Sequence, residues 1–230
     1  MTLTHESAMG ALRPLVQRNG FAIVPAFLDG RTVELLCKEF AESRRAERNI
    51  LSVPIVQELA SSRPVREVME DILGPHCFAV RGIFFNKTPS SNWKVVWHQD
   101  ITIAVRERRE LHGFGPWTMK AKVWHVQPPA DIMGGMLSIR IHLDESGLDN
   151  GPLRVLSGSH LHGRLSAKEI AHSEKGDCVT CAVPRRAALL MRPLLLHASS
   201  ACVIPKPRRV IHLEFAATEL PNGLEWHDRI

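Results

Sequence analysis

The sequence predicts a mainly β fold with N-terminal helices, in which many short strands build a double-stranded β-helix, or jelly-roll, core. Three observations predict it. Residues 1–75 carry helical patterning. Residues 77–217 carry short apolar runs separated by Gly, Pro and Asp/Asn signals. The 230 residues suffice for one domain with a full hydrophobic core, so residues 1–230 are read as a single unit. Short strands after a helical prelude are the pattern of a jelly-roll braced by helices.

In chain order, residues from about 6 to 18 form a first helix closed by Gly20, and Phe21-Ala-Ile-Val-Pro25 is extended. Asp29-Gly30 opens a second helix running to about Arg45, with Val33, Leu36, Cys37 and Phe40 on one stripe. A third helix begins near Pro64, a favoured first-turn residue, and ends at Gly74-Pro75. The expected strands are 77–85, 94–98, 136–143, 153–156, 187–191, 194–197 and 210–215. Between about 105 and 135 lies a stretch rich in turn residues and aromatics, including Gly113-Phe-Gly-Pro-Trp117 and His125-Val-Gln-Pro-Pro129. A connection this long is read as a lid inserted in the core.

Composition narrows the function classes. Hydrophobic residues at 44% and charged residues at 23% are the ordinary globular balance. The formal charge of +5 is spread over basic residues interleaved with acids, as in Arg106-Glu-Arg-Arg-Glu110, which reads as a solvated face and argues against a nucleic-acid partner. Lys206-Pro207-Arg208-Arg209 concentrates positive charge without a neighbouring acid; it is too short for a nucleic-acid stripe and fits a small anionic ligand. No apolar run approaches the roughly 18–20 residues of a membrane span and the N-terminus lacks a signal-peptide pattern, so no membrane partner and a cytoplasmic location are expected. Five cysteines at irregular spacing read as free thiols of a reducing compartment. Cys178-Val-Thr-Cys181 is formally C-x-x-C, but residues three apart on a strand face opposite sides, so the pair reads as packing thiols.

The chemistry concentrates in Trp97-His98-Gln99-Asp100. In an extended chain residues i and i+2 face the same way, so an imidazole and a carboxylate can chelate one cation. His197, about a hundred residues later in Arg192-Pro-Leu-Leu-Leu-His-Ala-Ser-Ser200, offers a third ligand. Two His and one carboxylate on one face of an octahedral metal leave three positions open, the arrangement of non-haem Fe(II) oxygenases. H-x-D by itself is a weak signal, since a strand-ending His is more often structural. Eleven residues after His197, Arg208 can pair bidentately with the distal carboxylate of a cosubstrate chelating that metal, and Ser199 can add a hydroxyl.

Four blocks in order carry a resemblance: Phe85-Asn-Lys-Thr-Pro89, Trp97-His-Gln-Asp100, Asp149-Asn-Gly-Pro-Leu-Arg-Val-Leu-Ser-Gly-Ser-His160, and Arg192 to Arg209. Over roughly residues 77 to 217 the chain resembles the phytanoyl-CoA dioxygenase-like branch of the Fe(II)/2-oxoglutarate oxygenases. The resemblance implies that His98, Asp100 and His197 hold iron(II). It implies that Arg208, with Ser199, holds the C5 carboxylate of 2-oxoglutarate. By position Ile83, Lys87 and Arg140 are similar to residues lining the cosubstrate site, although Arg140 stands where an aromatic is often found. Gln127 is a further expected cosubstrate contact. The implied reaction uses dioxygen to oxidise a small-molecule substrate, with release of succinate and CO2. Because Asp100 is present, where halogenating members carry a small residue, the resemblance implies hydroxylation. Acyl, terpenoid and amino-acid-like substrates all remain compatible.

Trp97, Ile101, Ile103, Trp117, Trp124 and Met133 are candidates for an apolar substrate pocket, and His125 for orienting the substrate, each weighed against ordinary packing. His160 and His162 form a rival H-x-H metal pair that the resemblance places outside the ligand set. A non-redox, cupin-like isomerase or hydrolase keeps fold and metal, yet leaves Arg208 and Ser199 without a carboxylate to hold. A binding module without activity sits poorly with a full ligand set.

Overall fold

The computed structural model describes residues 5–43, 46–88, 94–173, 177–203 and 206–230. Helix α1 (His5–Asn19) ends at Gly20, whose φ of 82° favours glycine, and β1 (Phe21–Val24) follows. Asp29 caps α2 (Gly30–Glu39), its carboxylate accepting the Thr32 N–H at 2.9 Å and the Thr32 hydroxyl at 2.7 Å. The helix stops at Glu39, short of the expected Arg45, which lies outside the described residues.

After β2 (Glu47–Arg48) come two helices, each with a proline in its first turn, α3 (Pro54–Ser61) and α4 (Arg63–Leu73). Only α4 was expected, its stripe Val65, Val68, Met69 and Ile72 repeating at helical spacing. At eight residues α3 is too short to display that period.

Strands β3 (Phe78–Lys87) and β4 (Val95–His98) fall where expected. β5 (Ile103–Val105) ends where the stretch read as a lid begins, and that stretch holds β6 (Trp117–Lys120), β7 (Val123–Val126) and the short α5 (Ala130–Gly134). The turn joining β6 to β7 is Ala121-Lys122, with φ of 49° and 64°. Such turns are announced by Asn-Gly or Asp-Gly, and neither is present.

The remainder comprises β8 (Met136–His142), β9 (Leu153–Val155), α6 (Ala167–Ser173), β10 (Val179–Cys181), β11 (Ala188–Met191), β12 (His197–Ser199) and β13 (Arg208–Ala216). The expected strand at 194–197 is displaced. Leu195 N–H donates to Arg192 O at 3.0 Å in a turn through Pro193, so β12 begins where the apolar run was to end.

The described residues form three antiparallel sheets, in the orders β1-β11-β8-β13-β3-β2, β10-β9-β12-β4 and β5-β7-β6. This is the double-stranded β-helix: the six-stranded sheet lies between the helices and the four-stranded sheet. Alternation along β13 shows why. Ile211, Leu213 and Phe215 pack with Val16, Leu36, Val56 and Met69 of the helices. Arg208, Val210, His212 and Glu214 face the other way, into the space between the sheets. Burying each large apolar side chain contributes about 1.5–3 kcal/mol, so this helix-facing layer anchors the sheet. Gly82 permits the approach: a Cβ there would lie 2.8 Å from Ile50 Cγ1 and 3.1 Å from Leu51 N. No helix among the described residues is long and apolar enough to cross a membrane.

Candidate metal centre

Antiparallel pairing of β12 with β4 sets His197 opposite His98, ring centroids 4.2 Å apart and tilted by 52°. Asp100 completes the group, with Oδ1 3.9 Å from His98 Nε2 and Oδ2 3.8 Å from His197 Nε2. One ligand atom from each lies within 4.8 Å of the others, and no other group of three His, Cys, Asp or Glu among the described residues does this.

Backbone carbonyls orient both imidazoles. His98 Nδ1 donates to Val96 O at 2.8 Å and His197 Nδ1 donates to Leu195 O at 2.8 Å. Each Nε2 is thereby left as a lone pair aimed at the shared centre. Burial pushes the His197 imidazole down to about 4, keeping it neutral as a ligand must be. Burial pushes the Asp100 carboxyl up, but His197, His212, His98 and Arg81 outweigh it and hold it at about 2, as a carboxylate.

The i, i+2 spacing works by a different device from a continuous strand. β4 ends at His98, and Asp100 N–H donates to Pro193 O at 2.9 Å. Between them buried Gln99 turns away from the centre. Its Nε2 donates to Leu194 O at 2.6 Å and Gly163 O at 2.8 Å, while Oε1 accepts the Leu165 N–H at 2.8 Å. Gln99 thus ties the ligand-bearing segment to two neighbouring loops. Sequence reasoning passed over it, because a Gln between two ligands carries no signal of its own burial.

His98, Asp100 and His197 open on a cavity of about 110 Å³ that Ile83, Lys87, Arg140, Ser199 and Arg208 also line. Lys87 and Arg208 are opposite one another on β3 and β13. Lys87 Nζ donates to Ser199 Oγ at 3.3 Å and Ser200 O at 3.1 Å. Burial, then the neighbouring Arg208 charge, pushes the Lys87 ammonium down to about 8. Burial likewise pushes the Arg140 guanidinium down to about 10.

Arg208 Nη1 donates to Gly151 O and, at 3.2 Å, to Ser146 Oγ. Gly151 has φ of 60° and a Cβ there would stand 2.6 Å from Ser200 O, so the Asn150-Gly151 turn sets the acceptor that aims Arg208. The Nε atoms of Arg208 and Arg140 are buried and have no hydrogen-bond partner among the described residues. Buried donors left unmade cost about 1–3 kcal/mol each, and a carboxylate held in the cavity would supply acceptors for them. The residues present therefore fit both a metal and an acidic cosubstrate. Arg209 is unavailable for this role: it faces the other way and forms a bidentate pair with Asp144 at 2.8 and 2.8 Å.

Beneath these groups runs a buried chain that the sequence reading missed. Arg140 Nη1 donates to His212 Nδ1 at 3.2 Å, His212 Nε2 donates to Glu214 Oε1 at 3.1 Å, and Arg81 donates to the same oxygen. The signal was present in the period-two alternation of β13, which puts His212 and Glu214 on the face of Arg208.

Other candidates lie elsewhere. Gln127 is absent from the cavity lining and its Oε1 accepts from Arg164 Nη1 at 3.2 Å. Trp97 carries the Arg154 guanidinium 5.3 Å from its ring centroid and also does not line the cavity. Ile103 and Met133 are buried in an apolar cluster against which Ile101, Trp117 and Trp124 pack. They share one face of the third sheet or its flanks and serve as core. His125 is buried, Nδ1 donating to Val123 O at 3.1 Å, and burial pushes it down to about 4. His160 bonds Gln17 O at 3.1 Å, apart from the metal group. Cys178 is exposed and Cys181 buried, as alternation required, and burial pushes the Cys181 thiol up to about 12.

No curated protein matches the chain. Solved structures share its fold. The non-heme alpha ketoglutarate dependent carbocyclase SnoK from nogalamycin biosynthesis is 13% identical with a TM-score of 0.71, over 95% of this chain and 85% of that one. The epimerase SnoN of the same biosynthesis, solved with Fe3+, alpha ketoglutarate and nogalamycin RO, is 15% identical with a TM-score of 0.68, over 95% and 92%. EctD from S. alaskensis, solved with 2-oxoglutarate and 5-hydroxyectoine, is 17% identical with a TM-score of 0.68, over 94% and 76%. At these identities the likeness is one of fold. The family description "Phytanoyl-CoA dioxygenase (PhyH)" matches residues 42–210, a span holding the metal group and every cavity residue except His212, and the chain belongs to that family.

Proposed function

We propose that this protein is an iron(II)- and 2-oxoglutarate-dependent oxygenase that hydroxylates an unactivated C–H bond of a small organic substrate. The observation that carries the reading is one cavity containing both the His98, Asp100 and His197 ligand atoms within 4.8 Å and the unsatisfied Nε donors of Arg208 and Arg140. His98, Asp100 and His197 hold the metal. Arg208, with Ser199 and Lys87, takes the C5 carboxylate of 2-oxoglutarate. Bound there, iron(II) with 2-oxoglutarate and dioxygen supplies the oxidant that removes hydrogen from carbon, as the cosubstrate becomes succinate and CO2.

The protein's own share is placement. Val96 and Leu195 carbonyls hold the imidazoles, Gln99 holds the loop between two ligands, and the apolar wall of Ile83, Phe85 and Leu153 limits water. A non-redox isomerase or hydrolase has no use for buried, unpartnered guanidinium donors beside the metal. Hydroxylation is placed ahead of epimerisation or ring closure, the activities named for SnoN and SnoK. The carboxylate-bearing ligand set argues against halogenation.

Succinate formation from 2-oxoglutarate by the Fe(II)-loaded protein, without any prime substrate, tests the reading. Succinate no higher than in the metal-free control sinks it.

A further inference from the structure

We propose that Arg48 and Lys120 form a cationic entrance to the metal cavity, so that the prime substrate is a small organic acid whose oxyanion these two side chains hold. The placement of Arg48 follows from register. It stands opposite Ile83 on the β2–β3 pair, Ile83 opposite His212, and His212 opposite Arg140. Residues directly opposite in an antiparallel sheet share a face, so Arg48 lies on the cavity face of the six-stranded sheet. Because β2 is the edge strand, Arg48 stands at the open margin of that face.

Lys120 approaches from the third sheet. It is opposite Val123, and Thr118 is opposite His125. By alternation Lys120, Val123 and His125 share the face turned away from the apolar cluster of Ile103 and Val126. The two cations meet the same surroundings: Arg81, Glu214 and Asp100 act electrostatically on both, and Arg48 acts on Lys120.

Neither side chain has a hydrogen bond or ion pair among the described residues. The nearby acids are already committed, Glu214 to Arg81 and His212, and Asp100 to the two ligand imidazoles. Glu47, next to Arg48, is opposite Phe84 and so on the helix face. Two like charges left unpaired at the mouth of a site focus an attractive field for anions and leave an oxyanion as the missing partner.

This substrate class rests on the oxygenase reading, and the two fail separately. Succinate formation by the wild-type protein without prime substrate reports on the reaction alone. Binding is read without turnover by saturation-transfer NMR on protein loaded with Zn(II) and saturating 2-oxoglutarate. The probes are matched sets of a carboxylic acid, its primary amide and the phosphate monoester of the same skeleton, in alkyl, aryl and amino-acid series.

Acids or phosphates are expected to bind and amides not, and the tighter oxyanion names the headgroup. Arg48→Gln with Lys120→Gln should weaken that binding about tenfold or more. Added salt should bring the wild type toward the double variant. Both side chains reach solvent, so the fold should survive, and Arg48→Lys with Lys120→Arg, which keeps both charges, should restore binding. Amides binding as tightly as acids, no oxyanion binding at all, or undiminished binding by the Gln double variant overturns the proposal.

Discussion

His98 and His197 face each other across the β4–β12 pair, and each gives its Nδ1 proton to the carbonyl two residues before it. The same local hydrogen bond, made twice on neighbouring antiparallel strands, leaves two Nε2 lone pairs converging beside the Asp100 carboxylate. Neither imidazole has to reorient to accept a metal. His98→Ala should remove metal binding and substrate-independent succinate formation together, read by metal content after desalting and by succinate release. Retention of stoichiometric iron by that variant contradicts the assignment.

Gln99 touches none of the ligand atoms, yet three hydrogen bonds from its amide hold the segment carrying two ligands. Gln99→Leu should weaken metal affinity about 10- to 100-fold, the usual effect of removing an outer-layer partner, while the ligands remain intact. Competition with a metal-binding dye measures it. Unchanged affinity means that the Asp100 backbone bond to Pro193 suffices.

Arg208 and Arg209 are adjacent but opposed, one in the cavity and one bound to Asp144 on the helix face. Arg208→Ala should raise the 2-oxoglutarate requirement about tenfold or more, with metal affinity retained. Arg209→Ala should lower stability by about 1–3 kcal/mol and leave that requirement alone. The two measurements are a cosubstrate titration and a urea melt, and a reversed pattern moves the anchor to Arg209.

His125 is buried and neutral, pushed by burial to about 4 from the ordinary 6.5. Between those values the unfolded chain binds a proton that the folded protein excludes, so stability falls as pH drops from about 6.5 toward 4. His125→Gln should flatten that part of the pH profile, removing on the order of 2–3 kcal/mol of pH dependence. Urea melts of metal-free protein at pH 7 and pH 5 read it, and parallel profiles for variant and wild type count against a buried neutral imidazole.

Gly82 leaves no room for a side chain against Ile50 and the Leu51 backbone. Gly82→Val should destabilise by about 1–3 kcal/mol through overpacking. Since Ile83 next to it lines the cavity, 2-oxoglutarate binding should weaken as well, which calorimetry on the folded fraction would detect.

Much of the site was legible in the chain because its signals are local. The H-x-D pair, the strand-ending His197 and the Arg208 eleven residues on are spacings along strands, and strands preserve spacing as direction. The residues that escaped detection act across strands. Arg81, His212 and Glu214 come from β3 and β13 and become a chain only through register. The apolar candidates lie away from the cavity for the converse reason. Trp97, Ile101, Ile103 and Trp117 sit close in sequence to the ligands, but alternation and the third sheet turn them toward Arg154 or the apolar cluster. The hairpin over β6 and β7 was hidden because Ala121-Lys122 adopts a turn that its residue types do not announce.

By itself the sequence determined the fold class and singled out a candidate ligand set and a candidate anchor to be tested, because hydrophobic period, turn residues and motif spacing are properties of short segments. Only the tertiary structure decided which of the two neighbouring guanidinium groups lines the cavity, which candidates pack in the apolar cluster, and that Arg48 lies on the cavity face of the six-stranded sheet. Those are questions of strand register and of sheet against sheet. Register depends on the whole set of cross-strand hydrogen bonds and buried faces, and no single stretch of chain contains it.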